Sequence, residues 1–419
     1  MNAATLSLVA LVAVIGLSLT SRINVGVLAI ALAFPVGLVA EMKPETVLGL
    51  FPAGLFLTLA GVTLLFGVAE TNGTLRVVAA HGVRACGGRA ALLPGLFFAL
   101  TCVVASAGPG AVAATAIIAP LAMAAGVAAG VPPFLMALMV ANGGNAGNLS
   151  PFSAVGVIVQ AQMHKAGLPH SDGAVFLANF CAHALVAVAA YLLFGGPGLR
   201  RAAPAVATDA AVAVPRFSGA QRLTLVVVGL WIVGVVGMRL NPGLLAFAGA
   251  AVLILLRAAE DHRAVAIIPW PVLLMVGGVS VLVGMLEKTG GMELFSGLLA
   301  RIATPGTVNG AMAFVTGLIS TYSSTSGVVY PAFLPMVPGL VAKLGGGDPL
   351  EVALSINVGA AMVDVSPLST IGALCVAALP AGAADPKLLF RQLLIWGIVM
   401  VPVAAVFCQL CIGWFVPAR

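Results

Sequence analysis

The chain is dominated by apolar runs long enough to cross a bilayer, and that feature constrains its fold more than any other. A helix needs about 20 mainly apolar residues to span the hydrocarbon. Runs of that kind cover roughly 4–20, 23–40, 47–69, 133–163, 173–195, 221–238, 241–257, 266–286, 350–381 and 388–415. Of 419 residues, 61% are apolar and only 8% charged, whereas a soluble domain carries about 25% charge. The expected class is an all-α polytopic membrane protein. The 50 glycines and 26 prolines fit that class where helices break around a site.

Two more apolar segments, 92–128 and 309–342, are interrupted by small and polar residues, Ala105-Ser-Ala-Gly-Pro-Gly110 and Ser320-Thr-Tyr-Ser-Ser-Thr-Ser-Gly327. Their flanks of about 15 residues reach only about 20–25 Å at 1.5 Å per residue, which predicts re-entrant hairpins.

The halves match in order. Ser21-Arg22-Ile23-Asn24 aligns with Met238-Arg239-Leu240-Asn241, and Phe51-Pro52 with Trp270-Pro271. Glu70-Thr71-Asn72-Gly73 aligns with Glu287-Lys288-Thr289-Gly290, and Ser150-Pro-Phe-Ser-Ala-Val-Gly156 with Ser366-Pro-Leu-Ser-Thr-Ile-Gly372. The offset is 217 between Arg22 and Arg239 and 216 between Ser150 and Ser366. Five crossings and one hairpin per half make an inverted repeat, because an odd number of crossings starts the second half on the other side. Repeat one is 1–195, with scaffold spans 1–90, hairpin 92–128, broken helix 133–163 and span 173–195. A linker at 196–219 leads to repeat two, 220–419, with scaffold spans 221–303, hairpin 309–342, broken helix 350–381 and span 388–415. Stretches 71–90 and 288–303 read as amphipathic interfacial helices. An outside N-terminus puts twelve of the 19 Lys and Arg on the inner face, so both termini are expected outside an inner membrane.

Several classes find no support. The scattered basic residues argue against nucleic-acid binding. Nucleotide, hydrolase and paired-histidine signatures are missing, so no enzyme and no cofactor is expected. Cys102, Cys181, Cys375, Cys408 and Cys411 lie in apolar stretches and Cys86 beside Arg84, a pattern of neither metal site nor disulfide framework. His183, the only histidine deep in a span, reads first as a packing residue. The N-terminus lacks a basic n-region and reads as a membrane helix rather than a cleaved leader.

Polar residues at membrane depth then mark the candidate site. They gather at the two hairpin tips and at two breaks, Asn142–Pro151 and Asn357–Pro367, where Pro151 and Pro367 should split each span and glycines permit unwinding. Unwound carbonyls suit a hard cation, and the half-helix after each Ser-Pro suits an anion. The competing reading is that these small residues only allow close helix packing. Substrate candidates are Ser106, Asn145, Ser150, Ser153, Ser324, Thr325, Ser366, Ser369 and Thr370; sodium candidates are Gly108, Asn142, Gly147, Asn148, Ser323, Ser326 and Asp364. Asp364, opposite Asn148 by offset, has three available roles: cation ligand, proton carrier or structural cap. With no Lys or Arg at the midplane, an organic anion would need cations for neutralisation.

At these residues the chain resembles the ion-transporter superfamily, and within it the dicarboxylate carrier family that includes malonate permeases and is related to divalent-anion/sodium symporters. The resemblance implies elevator movement of a transport domain against a scaffold, a homodimer, and sodium-coupled symport of malonate or a C4-dicarboxylate. It also implies Ser-Asn-Thr tips; Ser323-Ser324-Thr325 comes close, whereas Ala107-Gly108-Pro109 departs. A cation/proton antiporter using Asp364 and a channel or non-transporting membrane protein are the alternatives.

Overall fold

The computed structural model describes residues 2–20, 23–85, 89–169, 171–195, 199, 216–238, 240–321, 324–380 and 382–416. Ser21, Arg22, Cys86, Arg239, Ser323 and most of the 196–219 linker lie outside the described residues. Every regular element among the described residues is helical. Among the described residues, seven helical segments are long and apolar enough to cross a membrane: Pro44–Thr71, Ala90–Ala107, Gly110–Ala128, Asp172–Leu193, Trp270–Lys288, Thr325–Leu344 and Pro386–Phe415.

The first group comprises α1 (Ala3–Thr20), α2 (Val25–Val39), α3 (Pro44–Leu48), α4 (Ala53–Thr71) and α5 (Thr74–Ala85). Its counterparts are α11 (Gly219–Met238), α12 (Pro242–Leu255), α13 (Asp261–Ile267), α14 (Trp270–Lys288) and α15 (Gly291–Leu299). These groups interlock by exchange: α2 packs on α14 and α12 on α4, α1 on α15 and α11 on α5, α3 on α14 and α13 on α4.

Glycine permits that exchange. A Cβ on Gly26 would stand 2.0 Å from the carbonyl oxygen of Leu274, and one on Gly278 would stand 2.2 Å from that of Gly26. In the reciprocal crossing a Cβ on Gly61 would lie 2.4 Å from the Gly243 carbonyl oxygen, and one on Gly243 would lie 2.4 Å from Thr58 Cα. Gly26 and Gly243 are 217 residues apart, as are Gly61 and Gly278. Asn24 and Asn241, at the same spacing, cap α2 and α12, accepting from Gly26 N at 2.9 Å and Leu244 N at 3.0 Å. Ser7 Oγ meets Thr289 Oγ1 at 2.7 Å, and Asn72 Nδ2 donates to Thr224 Oγ1 at 2.8 Å, again counterparts 217 apart.

One sequence alignment is corrected. Pro52 caps α4 with φ −81°, ψ 69°, and its counterpart is Pro269, which caps α14 with φ −77°, ψ 65°. The Phe51-Pro52 and Trp270-Pro271 pairing is out of register by two residues, because a Pro in the first turn, as at Pro271, and a Pro at the cap give the same sequence signal.

The remaining elements are the two hairpins, the broken helices and their following spans. In the first half they are α6 (Leu93–Ala107), α7 (Gly110–Ala128), α8 (Pro133–Asn148), α9 (Ala154–Lys165) and α10 (Asp172–Leu193). In the second, α16 (Val308–Ser320) leads to an arm split by Pro331, Pro335 and Pro338 into a π turn Thr325–Val329, α17 (Tyr330–Phe333), a 3-10 turn Leu334–Met336 and α18 (Val337–Leu344). Then follow α19 (Pro349–Met362), α20 (Thr370–Ala377) and α21 (Pro386–Cys411). The first hairpin's arms exceed the expected 15 residues: α7 has 19, and α6 with its preceding turn has 18.

Candidate functional site

The breaks are shorter than the sequence suggests. α8 stays helical through Asn142, Gly143, Gly144, Asn145 and Gly147 to Asn148, and α19 through Asn357 to Met362, so irregular backbone is confined to 149–153 and 363–369. The reason is close packing. A Cβ on Gly143 would meet the Phe98 carbonyl oxygen at 2.3 Å and one on Gly147 that of Cys102 at 2.2 Å, so these glycines admit α6 rather than unwind α8. Both α8 and α19 are buried along nearly their whole length.

Each break is closed by its own serines. Ser153 Oγ bonds to the carbonyls of Asn148 and Ser150, the latter at 3.1 Å, and accepts from Gly156 N at 2.9 Å. Ser369 Oγ donates to the carbonyls of Asp364 at 2.5 Å and Ser366 at 2.8 Å. Ser150 Oγ accepts from Phe152 N and Ser366 Oγ from Leu368 N, both at 3.3 Å. Four hydroxyls expected to face substrate are thus engaged with the loop backbone, while Thr370 is exposed.

Each break is also latched to a tip. The Asn148 Oδ1 atom accepts from Ala111 N at 2.9 Å, and Ala154 N donates to the Gly108 carbonyl at 2.9 Å. In the second half Asp364 Oδ2 accepts from Thr325 Oγ1 at 2.9 Å. Thr325 Oγ1 also touches Ser320 Oγ, which donates to the Ala360 carbonyl at 2.9 Å. Ser324 Oγ accepts from Gly327 N at 3.1 Å and so caps the π turn. Ser106 lies half-buried near the first tip with Cys102 Sγ 4.0 Å away, and Ser326 is half-buried at the second.

Both tips rest on the interlocked helices. A Cβ on Gly108 would overlap the Phe66 ring of α4 at 1.9 Å, and one on Gly327 would lie 2.6 Å from Met275 Sδ of α14. Phe66 is held edge-on by Trp231 at 5.8 Å between centroids, and Trp231 Nε1 donates to the Pro242 carbonyl at 3.0 Å. Gly110, with φ +76°, turns the first tip through the left-handed region.

Sequence reasoning missed the part of the site on α10. His183 Nδ1 meets Asn142 Oδ1 at 3.0 Å, and Asn179 Nδ2 donates to the Asn145 carbonyl at 2.6 Å. Asn179 and His183 are one helical turn apart inside an otherwise apolar span, a spacing that was legible.

Apolar helices that interlock by exchange, with two broken helices buried at the centre and a hairpin tip on each, define a polytopic membrane protein. Residues 1–148 match the family model described as the dicarboxylate carrier protein MatC N-terminus, which bears out the resemblance over that region. The chain also shares its fold with two transporters. The Alcanivorax borkumensis YdaH transporter aligns at 17% identity over 89% of each chain, with a TM-score of 0.60. Neisseria gonorrhoeae MtrF, described as illuminating a class of antimetabolite efflux pumps, aligns at 12% identity over 98% of this chain and 95% of its own, with a TM-score of 0.61. No curated protein matches the chain.

Proposed function

We propose that the protein is a secondary active transporter coupling sodium to the movement of a small carboxylate, malonate or a C4-dicarboxylate, across the inner membrane. The observation that carries this reading is the second latch. Asp364 is a carboxylate held against a hairpin tip by Thr325, where the first half has the neutral Asn148, and neither break nor tip contains Lys or Arg. A half-buried carboxylate at membrane depth, with no cationic side chain beside it among the described residues, is costly unless an ion joins it. A cation taken there by Asp364, Ser323 and Ser326 would neutralise the site for an anion beside the half-helix N-termini. At the first tip the carbonyls of Gly108 and Gly147 and the side chain of Asn148 are the corresponding donors. The MatC match supports a carboxylate as cargo.

The exchange pattern supports the inverted repeat. Thr224, at the start of the second half, bonds to Asn72, after the first half's third apolar segment, while Ser7 bonds to Thr289 in the reciprocal place. In this reading α1, α2 and α4 are three crossings that carry the chain to the opposite side, so the halves begin at opposite faces. The division into scaffold spans and moving hairpins, elevator movement, a homodimer and outside termini belong to the same reading.

The test is uptake of labelled malonate and succinate into proteoliposomes. Uptake should follow an inward sodium gradient and collapse in Asp364→Ala; flux indifferent to both would remove the reading. Cation/proton antiport is a second reading, favoured by Asp364 standing alone, and it predicts proton flux driven by sodium without any carboxylate.

A further inference from the structure

We infer that the face between α8 and α10 binds a small monovalent cation through Asn145 and Asn179, with His183 receiving a water of that ion and Asn142 holding His183 in place. This deepens the sodium-coupled reading and rests on it for the role of the ion.

The face is a two-rung ladder. Asn142 and Asn145 lie three residues apart on α8, and His183 and Asn179 lie four apart on α10. Asn142 meets His183 in one rung and the Asn145 backbone meets Asn179 in the next. All four side chains are fully buried.

The hydrogen bonds fix which atoms can accept. Asn142 Nδ2 donates to the Leu138 carbonyl at 2.9 Å, so its Oδ1 faces His183 and Nδ1 carries the proton. The Nε2 atom of a neutral His183 is then an acceptor, and it has no partner. Asn179 spends Nδ2 on the Asn145 carbonyl, which leaves its Oδ1 as an acceptor without a partner. Both Asn145 Oδ1 and Asn145 Nδ2 are likewise unpartnered.

Three free acceptors stand against one free donor, a set that repels an anion and suits a cation. Hard cations take amide oxygens, and an imidazole nitrogen can accept from a water on the ion. The second rung lies in the last turn of α8 (Pro133–Asn148), where the helix dipole presents its negative end. With no carboxylate on α8 and Asp172 about two turns from Asn179 along α10, the charge that can be balanced is single rather than double.

The experiment uses the purified full-length protein in detergent, melted across a series of NaCl, KCl and choline chloride concentrations with no carboxylate present. Sodium should raise the melting temperature above choline at equal ionic strength. Asn145→Ala and Asn179→Ala should each raise the sodium concentration giving half the effect at least about tenfold, and Asn179→Asp, which adds a carboxylate, should lower it. Melting in choline chloride checks that each variant folds. If Asn179→Ala does not, Asn145→Ala and Asn179→Asp still decide the question, because the Asn145 side chain makes no hydrogen bond. A wild-type protein indifferent to sodium overturns the inference. So does an unchanged midpoint in both alanine variants alongside a changed one in Asp364→Asn. Sodium stabilisation that needs Asn145 and Asn179, together with malonate uptake that ignores sodium, keeps the ladder and removes symport.

Discussion

The two breaks share their serine closures and differ in their latches. Ser153 and Ser369 close them with the same pair of carbonyl contacts, and Ser150 and Ser366 repeat the same turn. The latches differ: a neutral amide accepts a backbone N–H at the first tip, and a carboxylate accepts a hydroxyl at the second. The common parts belong to the fold, whose geometry needs them twice. The unlike parts are those on which the proposed cation site draws.

The largest expected effect tests the charged latch. Asp364→Ala should reduce sodium-driven malonate uptake about a hundredfold, which at ~1.4 kcal/mol per tenfold is a loss of about 3 kcal/mol. Next comes a control in which the halves should behave alike. Gly26→Ala and Gly243→Ala put the same methyl group into equivalent crossings, and each should destabilise by about 1–3 kcal/mol in detergent melting, as overpacking does. Unequal losses would break the reciprocity. Asn148→Ala leaves the Ala111 N–H without its acceptor, at about 1–3 kcal/mol of stability, with uptake falling far less than in Asp364→Ala. Equal uptake losses in the two variants would erase the difference between the latches. The smallest effect belongs to the closing serines: Ser153→Ala and Ser369→Ala should each cost about 1 kcal/mol, with Ser153→Ala the larger because its Oγ also accepts from Gly156 N.

Much of this frame was legible, and the reasons are local. Asn24 and Asn241 announce helix starts because a capping side chain must precede the first turn, and Ser-Pro-x-Ser announces the breaks because proline cannot continue a helix. Gly26 and Gly278 were not legible as partners, since an isolated glycine in an apolar run gives no sign of the backbone that approaches it. The glycines of Asn142–Asn148 misled for the same reason: unwinding and close packing require the same residue, and only the nearness of Phe98 and Cys102 separates them. His183 was visible but unassigned until its partner on α8 was known.

The exchanged packing has a consequence for synthesis. α2 and α4 find their glycine-lined partners on α14 and α12, some 200 residues later in the chain, so the early helices leave the ribosome long before anything can fill their grooves. Neither half can complete itself, and the first half must wait in lipid with its small-residue faces uncovered. Contacts of such long sequence separation are slow to form and leave intermediates exposed. Truncation between the halves should therefore yield a fragment that inserts but does not mature, and quality-control machinery would meet this protein as an orphaned half at every round of translation.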